Sequence, residues 1–210
     1  MNIERKKMLV YAVTDRSWLN GQTLEQQAEK AIKGGVTFLQ LREKNLCYDD
    51  FLKQAVALKK ITDKYNIPFI INDNVDIAIA VDADGVHVGQ KDMEAGKVRQ
   101  KLGQNKIIGV SVQTVEQAIL AQKQGADYLG VGAVFSTSTK LDASEVSFET
   151  LQQICNAVCI PVVAIGGINT KNILQLKGSG IDGVAVVSAI FAQKDITQAT
   201  KEIVTLCKQL

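Results

Sequence analysis

Short apolar runs rich in β-branched residues recur eight times along the 210 residues, and amphipathic segments separate them. Several runs are apolar at successive positions, which is typical of parallel strands covered on both faces. An open doubly wound sheet is the alternative, but no Gly-x-Gly-x-x-Gly turn follows the first run. We therefore predict a single-domain (β/α)8 TIM barrel over residues 1–210. The eight runs are MLVYAVTD, TFLQLRE, PFIIND, GVHVG, KIIGVS, YLGVGAVF, PVVAIGG and GVAVVSAI.

The segments between the runs carry helix signals. TLEQQAEKAIKGG has a predicted N-cap at Thr23 and a stop at Gly34-Gly35, and TVEQAILAQKQGA is capped in the same way by Thr114. YDDFLKQAVALKKITDKYN has apolar residues at helical spacing. The spacer VDIAIAVDA is short and the spacer after Lys91 is weakly apolar, so the pattern defines those two helices least.

Charge and hydropathy exclude several classes of protein. The net charge is +2 with acidic and basic residues interspersed, which gives no basis for nucleic-acid binding. No apolar run approaches the roughly 20 residues that span a bilayer. The amino-terminal apolar run of about seven residues is too short for a signal peptide. We expect a cytoplasmic protein without nucleic-acid or membrane partners, and the sequence neither requires nor excludes a homo-oligomer.

The cysteines and the single histidine do not form a metal-binding pattern. No Cys-x-x-Cys pair occurs, so a zinc site and a disulfide framework are both disfavoured. Cys155 and Cys159 are four apart on a predicted helix, and we predict that both are small buried side chains. His87 lies within the fourth run, where we predict a packed, hydrogen-bonded residue. A cysteine nucleophile served by His87 is the less favoured alternative.

Polar residues follow nearly every predicted strand. In a TIM barrel the chemistry lies at the carboxyl-terminal strand ends, so these residues would share one rim. Each alone has an alternative reading as a solvated loop or a helix cap. The set comprises Thr14, Asp15, Arg16, Gln40, Arg42, Lys44, Asn72, Asp73, Gln90, Lys91, Asp92, Ser111, residues 136–140, Gly166, Gly167 and Ser188.

The second strand ends in LQLREK, residues 39–44, which brings two cations to one place. Side chains alternate across a strand, so Gln40, Arg42 and Lys44 share one face while both leucines and Glu43 share the other. With the leucines under the helices, the first set faces into the barrel. An Arg and a Lys there suit a phosphate or a diphosphate. Glu43 is predicted outside the site, in a supporting ion pair.

Two aspartates follow adjacent strands and predict a metal site. Asp73 follows the third strand and Asp92 the fourth, so their carboxylates could meet over one Mg²⁺, which prefers oxygen ligands and often bridges substrate phosphates. The alternative for each is a helix N-cap, since a predicted helix follows both residues.

A second anion site is predicted after the seventh and eighth strands. GGIN and VVSAI fit the barrel phosphate site that is built from these two loops, and Gly166 and Gly167 leave their backbone N–H groups accessible. STSTK offers hydroxyls and an ammonium group, but no Gly-x-x-x-x-Gly-Lys precedes it, so it is not a P-loop. Residues 136–144 are alternatively a flexible polar loop or a mobile lid.

Together these motifs resemble those of the thiamine-phosphate synthase (thiamine-phosphate pyrophosphorylase) family. The similarity runs in order through YAVTDR, QLREK, IINDNVDIAIAVDADGVHVGQKD, IGVSVQT, YLGVGAVFSTSTKLDA, PVVAIGGIN and GVAVVSAI, which is nearly the whole chain. The resemblance implies condensation of 4-amino-5-hydroxymethyl-2-methylpyrimidine diphosphate with hydroxyethylthiazole phosphate or its carboxylated tautomer. It implies Mg²⁺ assistance and a dissociative route through a pyrimidine carbocation, with phosphorylated small molecules as the partners.

The resemblance also implies roles for particular residues. The pyrimidine diphosphate would contact Gln40, Arg42, Lys44, Asn72, Ser111 and Lys140, of which Arg42, Lys44, Ser111 and Lys140 would be catalytic. Mg²⁺ would bind Asp73 and Asp92. The thiazole phosphate would contact Thr137, Ser138, Thr139, Gly167, Val187 and Ser188.

The chain departs from the family pattern at two positions. Gln113 stands where a histidine is common, which removes a proton-transfer group, and Ser136 stands where proline is frequent. A thiazole tautomerase-like paralogue is the nearest rival, but it typically lacks the complete diphosphate and metal set. The other rivals are a barrel that senses a thiamine precursor without catalysis and a phosphate-binding isomerase or aldolase. An aldolase would need a Schiff-base lysine within a strand, and none of the predicted strand interiors contains one.

Overall fold

The computed structural model describes residues 3–137 and 145–210. Eight parallel strands pair in chain order and β8 closes onto β1, so the predicted (β/α)8 barrel is confirmed. The strands are β1 (Val10–Val13), β2 (Phe38–Leu41), β3 (Phe69–Asn72), β4 (Gly85–Val88), β5 (Ile107–Val112), β6 (Tyr128–Val131), β7 (Val162–Ile165) and β8 (Gly183–Val186).

The helices follow the predicted spacers closely. Thr23 and Gln26 form a capping box at the start of α1, and Gly35, with φ of 110°, ends it as predicted. None of the helices within the described ranges has the length and apolar character that a bilayer span requires. The helices are α1 (Leu24–Gly34), α2 (Tyr48–Tyr65), α3 (Val75–Ala80), α4 (Ala95–Leu102), α5 (Val115–Lys123), α6 (Phe148–Ala157), α7 (Ser188–Phe191) and α8 (Ile196–Cys207).

Two predictions near the end of the chain are wrong. The eighth apolar run does not remain a strand to its end, because β8 stops at Val186 and Ser188 opens the four-residue α7. An apolar run alone does not distinguish a strand from a following buried helix. Cys159 lies beyond α6 and is exposed, whereas Cys155 is partly buried, so the two cysteines do not share a buried helix face.

Side chains fill the barrel interior as a separate layer from the shell between strands and helices. Tyr11, Phe38 and Tyr128 form its centre, with ring centroids 4.8 to 5.8 Å apart in edge-to-face contacts. Leu39 and Leu41 instead belong to the outer core beneath the helices, as predicted from strand parity. The interior is therefore packed, and access to a ligand is left to the strand ends.

One hydrogen-bond arrangement repeats at the amino-terminal ends of the strands. The residue before each even-numbered strand accepts a hydrogen bond from the first or second backbone N–H of the preceding odd-numbered strand. This satisfies donors that a parallel sheet leaves at its margin. The pairs are Thr37 Oγ1 with Val10 N (3.0 Å), Asp84 Oδ2 with Phe69 N (2.9 Å), Asp127 Oδ2 with Ile108 N (2.9 Å) and Asp182 Oδ2 with Val162 N (2.9 Å).

Two of these aspartates also hold an arginine. Arg99 lies 2.5 Å from Asp127 and donates to the carbonyls of Lys106 and Gly125, and only 11% of its side chain is exposed. Arg5 lies 2.8 Å from Asp182. Side-chain and backbone groups therefore close this end of the barrel against one another.

Candidate active site

Gln40 lies inside the barrel near the end of β2. Its side chain is buried, and Nε2 donates to Tyr11 Oη over 2.6 Å. Because Gln40 is next to two leucines of the outer core, its inward direction follows from strand alternation. The face predicted for Gln40 is confirmed, although its amide is engaged by a tyrosine that the sequence did not single out.

Arg42 is the first residue after β2 and is held by the end of β1. Its backbone N–H donates to Thr14 Oγ1 over 3.1 Å, and its guanidinium lies 3.5 Å from Asp15 Oδ2 with 23% of the side chain exposed. Asp15 itself accepts from Ser17 N over 2.8 Å. The long contact to Asp15 positions Arg42 at the rim and leaves donors of its fork for a ligand.

Glu43 points away from this site into the predicted ion pair. Its Oε1 accepts from Arg16 Nε over 2.7 Å, and only 4% of its side chain is exposed. Burial raises the pKa of Glu43, and the Arg16 guanidinium opposes that rise. Arg16 also donates to Gln54 Oε1 over 3.0 Å. Arg16 therefore links the loops that follow β1 and β2 to α2, while Arg42 remains at the rim.

Lys44, Asp73 and Asp92 meet at the ends of β2, β3 and β4. Lys44 Nζ lies 2.6 Å from Asp73 Oδ2, and Asp92 Oδ2 accepts from Gly89 N over 2.7 Å. Burial and the neighbouring Asp73 carboxyl raise the pKa of Asp92, against the lowering effect of the Gly89 N–H. The predicted proximity of Asp73 and Asp92 is therefore present, and Lys44 lies beside them.

Neither aspartate is a helix N-cap. Asn74 caps α3 through its side chain, which accepts from Ile77 N over 2.9 Å, and Glu94 occupies the cap position of α4. Asp73 adopts a left-handed conformation with φ of 60°, which is uncommon for a residue other than glycine. Its N–H donates to the His87 carbonyl over 2.8 Å. The backbone thus holds Asp73 in a strained position at the rim, as functional sites often do.

The two carboxylates fit a partly protein-bound Mg²⁺. In the ranges 3–137 and 145–210, no three His, Cys, Asp or Glu side chains are grouped as a metal site. Mg²⁺ commonly binds through one or two carboxylates and takes its other oxygens from substrate phosphates and water. The Asp73 carboxyl is among the causes that raise the pKa of Asp92, so the two carboxylates lie close enough to contact one cation.

Asn72 and Ser111 complete the first half of the rim. Asn72 is the buried last residue of β3 and is in register with His87. Ser111 Oγ lies 2.8 Å from His87 Nε2, and the Ser111 carbonyl accepts from Gln90 Nε2 over 2.7 Å. His87 is buried and hydrogen-bonded, as predicted. The strand continues one residue past Ser111, so that hydroxyl lies just inside the rim.

The loops after β6 and β7 contact one another at the opposite half of the rim. Gly166 and Gly167 have φ of 101° and 66°, and the Gly166 carbonyl accepts from Phe135 N over 3.1 Å. A Cβ on Gly167 would come within 2.4 Å of the Ser136 carbonyl oxygen. Asn172 Nδ2 donates to the Gly167 carbonyl over 2.9 Å. Glycine is required here by both the backbone conformation and the close approach.

The structure places part of the predicted thiazole-phosphate set. Thr137 follows β6, Gly167 follows β7, and Val187 and Ser188 follow β8, so four members lie after three consecutive strands. Val187 is the cap residue of α7 and its carbonyl accepts from the N–H groups of that turn. The remaining predictions lie outside the described residues. They concern Ser138, Thr139, Lys140 and most of the proposed lid over residues 136–144.

Sequence reasoning missed the two tyrosines inside the barrel. Tyr11 Oη and Tyr128 Oη lie 2.7 Å apart, and Tyr128 Oη lies 2.9 Å from His87 Nδ1. The sequence signal for this contact was a tyrosine in an otherwise aliphatic strand. A buried tyrosine hydroxyl needs a hydrogen-bond partner, so it indicates other polar groups inside the barrel. Gln113, the departure from the family pattern, donates through Nε2 to the Gly132 carbonyl over 3.2 Å.

Comparisons with known proteins agree with the motifs. A family model described as thiamine monophosphate synthase matches residues 10–190. Thiamine-phosphate synthase of Ruminiclostridium cellulolyticum is 57% identical over 197 residues, which cover 94% of each chain. Thiamine-phosphate synthase of Clostridium tetani is 55% identical over 194 residues, which cover 92% of this chain and 93% of the relative.

Solved structures give the same result at the level of the fold. Thiamine phosphate pyrophosphorylase from Pyrococcus furiosus is 39% identical, covers 97% of both chains and has a TM-score of 0.90. (S)-3-O-geranylgeranylglyceryl phosphate synthase from Thermoplasma acidophilum has a TM-score of 0.70 at 16% identity and 98% coverage of this chain. This match covers 96% of the synthase chain, and it supports only the barrel architecture.

Proposed function

Since the chain belongs to the thiamine monophosphate synthase family of enzymes, we propose that it joins 4-amino-5-hydroxymethyl-2-methylpyrimidine diphosphate to hydroxyethylthiazole phosphate or its carboxylated tautomer. The products are thiamine phosphate and diphosphate, and the carboxylated tautomer would in addition lose its carboxyl group as carbon dioxide. The observation that carries this assignment is the grouping of Arg42, Lys44, Asp73 and Asp92 at three adjacent strand ends. Two cations and two carboxylates together suit a diphosphate and its metal ion.

Arg42 and Lys44 would bind the diphosphate. Arg42 keeps a long contact to Asp15 at 3.5 Å, so a diphosphate oxygen can offer the shorter, charge-assisted hydrogen bonds that an Arg fork favours. Lys44 is half exposed beside Asp73 and can reach an anion at the rim. Lys140 and Ser111 would complete the set that family resemblance predicts.

Asp73 and Asp92 would hold Mg²⁺, which when bound neutralises charge on the diphosphate. The protein's own contribution lies in how it holds the two ligands. The strained backbone of Asp73 and the Gly89 N–H on Asp92 orient the carboxylates before any cation arrives. Pre-oriented ligands reduce the free energy spent on reorganisation.

The proposed chemistry needs no covalent nucleophile. The bond between the pyrimidine methylene carbon and the diphosphate oxygen breaks, and its electron pair leaves with diphosphate. The resulting carbocation is stabilised by the electron-rich aminopyrimidine, and the thiazole nitrogen donates its lone pair to form the new carbon–nitrogen bond. Arg42 and Lys44 would stabilise negative charge as it grows on the leaving group, which lowers the barrier without a proton-transfer partner.

The thiazole phosphate would bind where the loops after β6, β7 and β8 converge. Thr137, Gly167, Val187 and Ser188 follow these strands, and the contact between the β6 and β7 loops positions Gly167. Binding both substrates at one rim supplies proximity and limits the access of water to the carbocation. Ser138 and Thr139 would take part in this site by resemblance.

The tautomerase-like alternative is less well supported by the rim. A tautomerase moves a proton and has no diphosphate to hold, yet Lys44, Asp73 and Asp92 lie together here, and Arg42 follows the same strand as Lys44. Gln113 replaces the histidine that would transfer a proton, and its amide is hydrogen-bonded to the Gly132 carbonyl.

Incubation of the purified chain with both substrates and Mg²⁺ tests the proposal. We expect thiamine phosphate and diphosphate in equal amounts, and no turnover when a chelator removes the metal. Hydroxyethylthiazole phosphate should be required, because it captures the carbocation. Absence of thiamine phosphate with every divalent metal tried would refute the assignment.

A further inference from the structure

Five polar side chains form a continuous hydrogen-bonded chain across the barrel interior. Gln40 contacts Tyr11 at 2.6 Å, and Tyr11 contacts Tyr128 at 2.7 Å. Tyr128 contacts His87 Nδ1 at 2.9 Å, and His87 Nε2 contacts Ser111 Oγ at 2.8 Å. The two ends, Gln40 and Ser111, are both residues that we assign to the pyrimidine diphosphate. The three middle members are buried and lie between them.

Two glycines make room for this chain. A Cβ on Gly109 would come within 2.3 Å of Tyr128 Oη and 2.5 Å of His87 Nδ1, at the point where these two groups meet. A Cβ on Gly130 would come within 3.2 Å of the His87 ring. Any other residue at position 109 would separate the phenol from the imidazole. The contact is therefore a built feature of strands β5 and β6 and not an incidental approach.

The orientation of the Gln40 amide determines the direction of every hydrogen bond in the chain. Burial raises the pKa of both phenols, so each is protonated at neutral pH and has a single hydrogen to donate. When Gln40 Nε2 donates to Tyr11, the Tyr11 hydrogen must go to Tyr128, and the Tyr128 hydrogen must go to His87 Nδ1. A neutral His87 then carries its proton on Nε2 and donates to Ser111 Oγ. Ser111 is left with its own hydrogen to donate at the rim.

Rotation of the Gln40 amide by half a turn reverses every one of these bonds. Oε1 would then accept from Tyr11, Tyr11 would accept from Tyr128, and His87 would carry its proton on Nδ1. Ser111 would donate inward to Nε2 and present a lone pair at the rim. The orientation of one amide and the polarity of one hydroxyl are thus linked, because no phenol can donate in both directions.

We propose that Tyr11, Tyr128 and His87 are positioning residues. They couple the substrate group that contacts Gln40 to whether the Ser111 hydroxyl donates or accepts a hydrogen bond at the rim. An N–H donor on the substrate ring, such as the pyrimidine amino group, pairs with Gln40 Oε1 and turns Nε2 towards Tyr11. Ser111 then presents a hydrogen, which suits the anionic diphosphate. A ring with a hydrogen-bond acceptor at that position would turn Gln40 Oε1 towards Tyr11, and Ser111 would then present a lone pair at the rim. The inference rests on the proposed function, since it assumes that both ends contact one substrate.

Deletion of single hydroxyls separates this role from packing. Tyr11→Phe and Tyr128→Phe each remove one link and retain the ring. Tyr65→Phe is the matched control, because its hydroxyl donates to Glu29 Oε1 over 2.6 Å far from the barrel interior. We expect kcat to fall by about 10- to 100-fold in the two interior variants, the range for one hydrogen bond to a charged group, with KM for the thiazole phosphate unchanged. The control should keep both constants.

His87 is the only histidine in the chain, so its ring ¹⁵N signals report the tautomer directly. With the pyrimidine diphosphate bound, we expect wild type to show a proton on Nε2 alone, and both interior variants to show a mixture of tautomers. A proton on Nδ1 in bound wild type, or unchanged kcat and tautomer in both variants, would overturn the relay. A wild-type chain that forms no thiamine phosphate would instead refute the proposed function. In that case the His87 tautomer of ligand-free wild type, compared with that of ligand-free Tyr128→Phe, would still test the coupling along the chain.

Discussion

Aspartates at the two ends of this barrel serve opposite purposes. At the amino-terminal end, Asp84, Asp127 and Asp182 each accept a backbone N–H from the neighbouring strand over 2.9 Å. At the carboxyl-terminal end, Asp73 and Asp92 lie beside one another and Lys44. The first group closes the sheet, and the second holds charge at an open rim.

The difference follows from the direction of the strands. Parallel strands leave backbone N–H groups at their amino-terminal margin, so a carboxylate there satisfies buried donors and contributes to folding. The opposite margin presents carbonyl oxygens, which offer a carboxylate nothing to accept. Asp73 and Asp92 therefore rely on Lys44, a loop N–H and a strained backbone. The same residue type is structural at one end and is proposed to be functional at the other.

Asp127→Ala should give the largest change and should affect stability alone. It leaves Arg99, with 11% of its side chain exposed, without its carboxylate and frees the Ile108 N–H. Breaking such a buried pair lowers the free energy of unfolding by about 3–5 kcal/mol. Chemical denaturation measures this, with the exposed Asp76→Ala as the matched control. Loss of activity in the fraction that stays folded would contradict the division between the two ends.

Arg42→Ala should give the converse result at the other end. Removal of one group that stabilises transition-state charge lowers kcat by about 10²–10³-fold. The melting temperature should remain close to that of wild type, because the contact of the guanidinium with Asp15 is long, at 3.5 Å. Lys123→Ala, at the end of α5, is the control for loss of a cation elsewhere. Equal kcat in Arg42→Ala and wild type would remove Arg42 from the site.

Asp92→Ala should weaken the dependence on Mg²⁺. The apparent affinity for the metal should fall at least about tenfold, since even groups that only orient ligands contribute about 10–100-fold. Stability should fall by about 1 kcal/mol, the value of the lost bond to the Gly89 N–H. A Mg²⁺ titration of turnover measures the first effect. A collapse of stability with an unchanged metal dependence would make Asp92 a structural residue like Asp127.

Asp84→Ala should give a smaller change of the same kind as Asp127→Ala. Asp84 accepts from Phe69 N, but in the described part of the chain no cation pairs with it. The free energy of unfolding should therefore fall by about 1 kcal/mol, as for one net hydrogen bond. A denaturation curve compared with that of Asp127→Ala measures the contribution of the arginine. Equal losses in the two variants would show that the ion pair adds nothing.

Glu43 should give the smallest effect, visible as a pH dependence. Burial holds its pKa above the ordinary value of 4.5, so the folded state binds its proton more tightly than the unfolded state. Stability from this group is therefore present at low pH and declines as pH rises from 4.5 through the folded pKa. Arg16→Gln should raise the pKa further. A carboxyl ¹³C titration of Glu43 checks both, and a midpoint below 4.5 would contradict the stated cause.

The sequence predicted those features that depend on neighbours along the chain. Strand alternation placed Gln40 inside and Glu43 outside, and the capping pattern placed the start of α1 at Thr23. The grouping of Asp73 and Asp92 also followed, because consecutive strands of a parallel barrel are adjacent. These results needed only local periodicity and the order of the strands.

Features that depend on barrel closure could not be predicted in this way. Tyr11 and Tyr128 lie 117 positions apart and meet only because side chains from distant strands share one interior. The end of β8 was misplaced because VVSAI stays apolar while its backbone changes from strand to helix. Cys159 was misplaced because α6 ends two residues before it. In each case a contact or a backbone change overrode the local pattern.

The position of the diphosphate site is tested most directly by backbone amide NMR of the 22.8 kDa chain with pyrimidine diphosphate and Mg²⁺. We predict shifts at the amides of Arg42, Asp73, Gly89 and Ser111, and none at the strand starts Phe69, Ile108 and Val162. Shifts at the strand starts instead would place binding at the amino-terminal end, where a cavity of about 570 Å³ lies beside Arg99 and Lys123. That result would contradict the account.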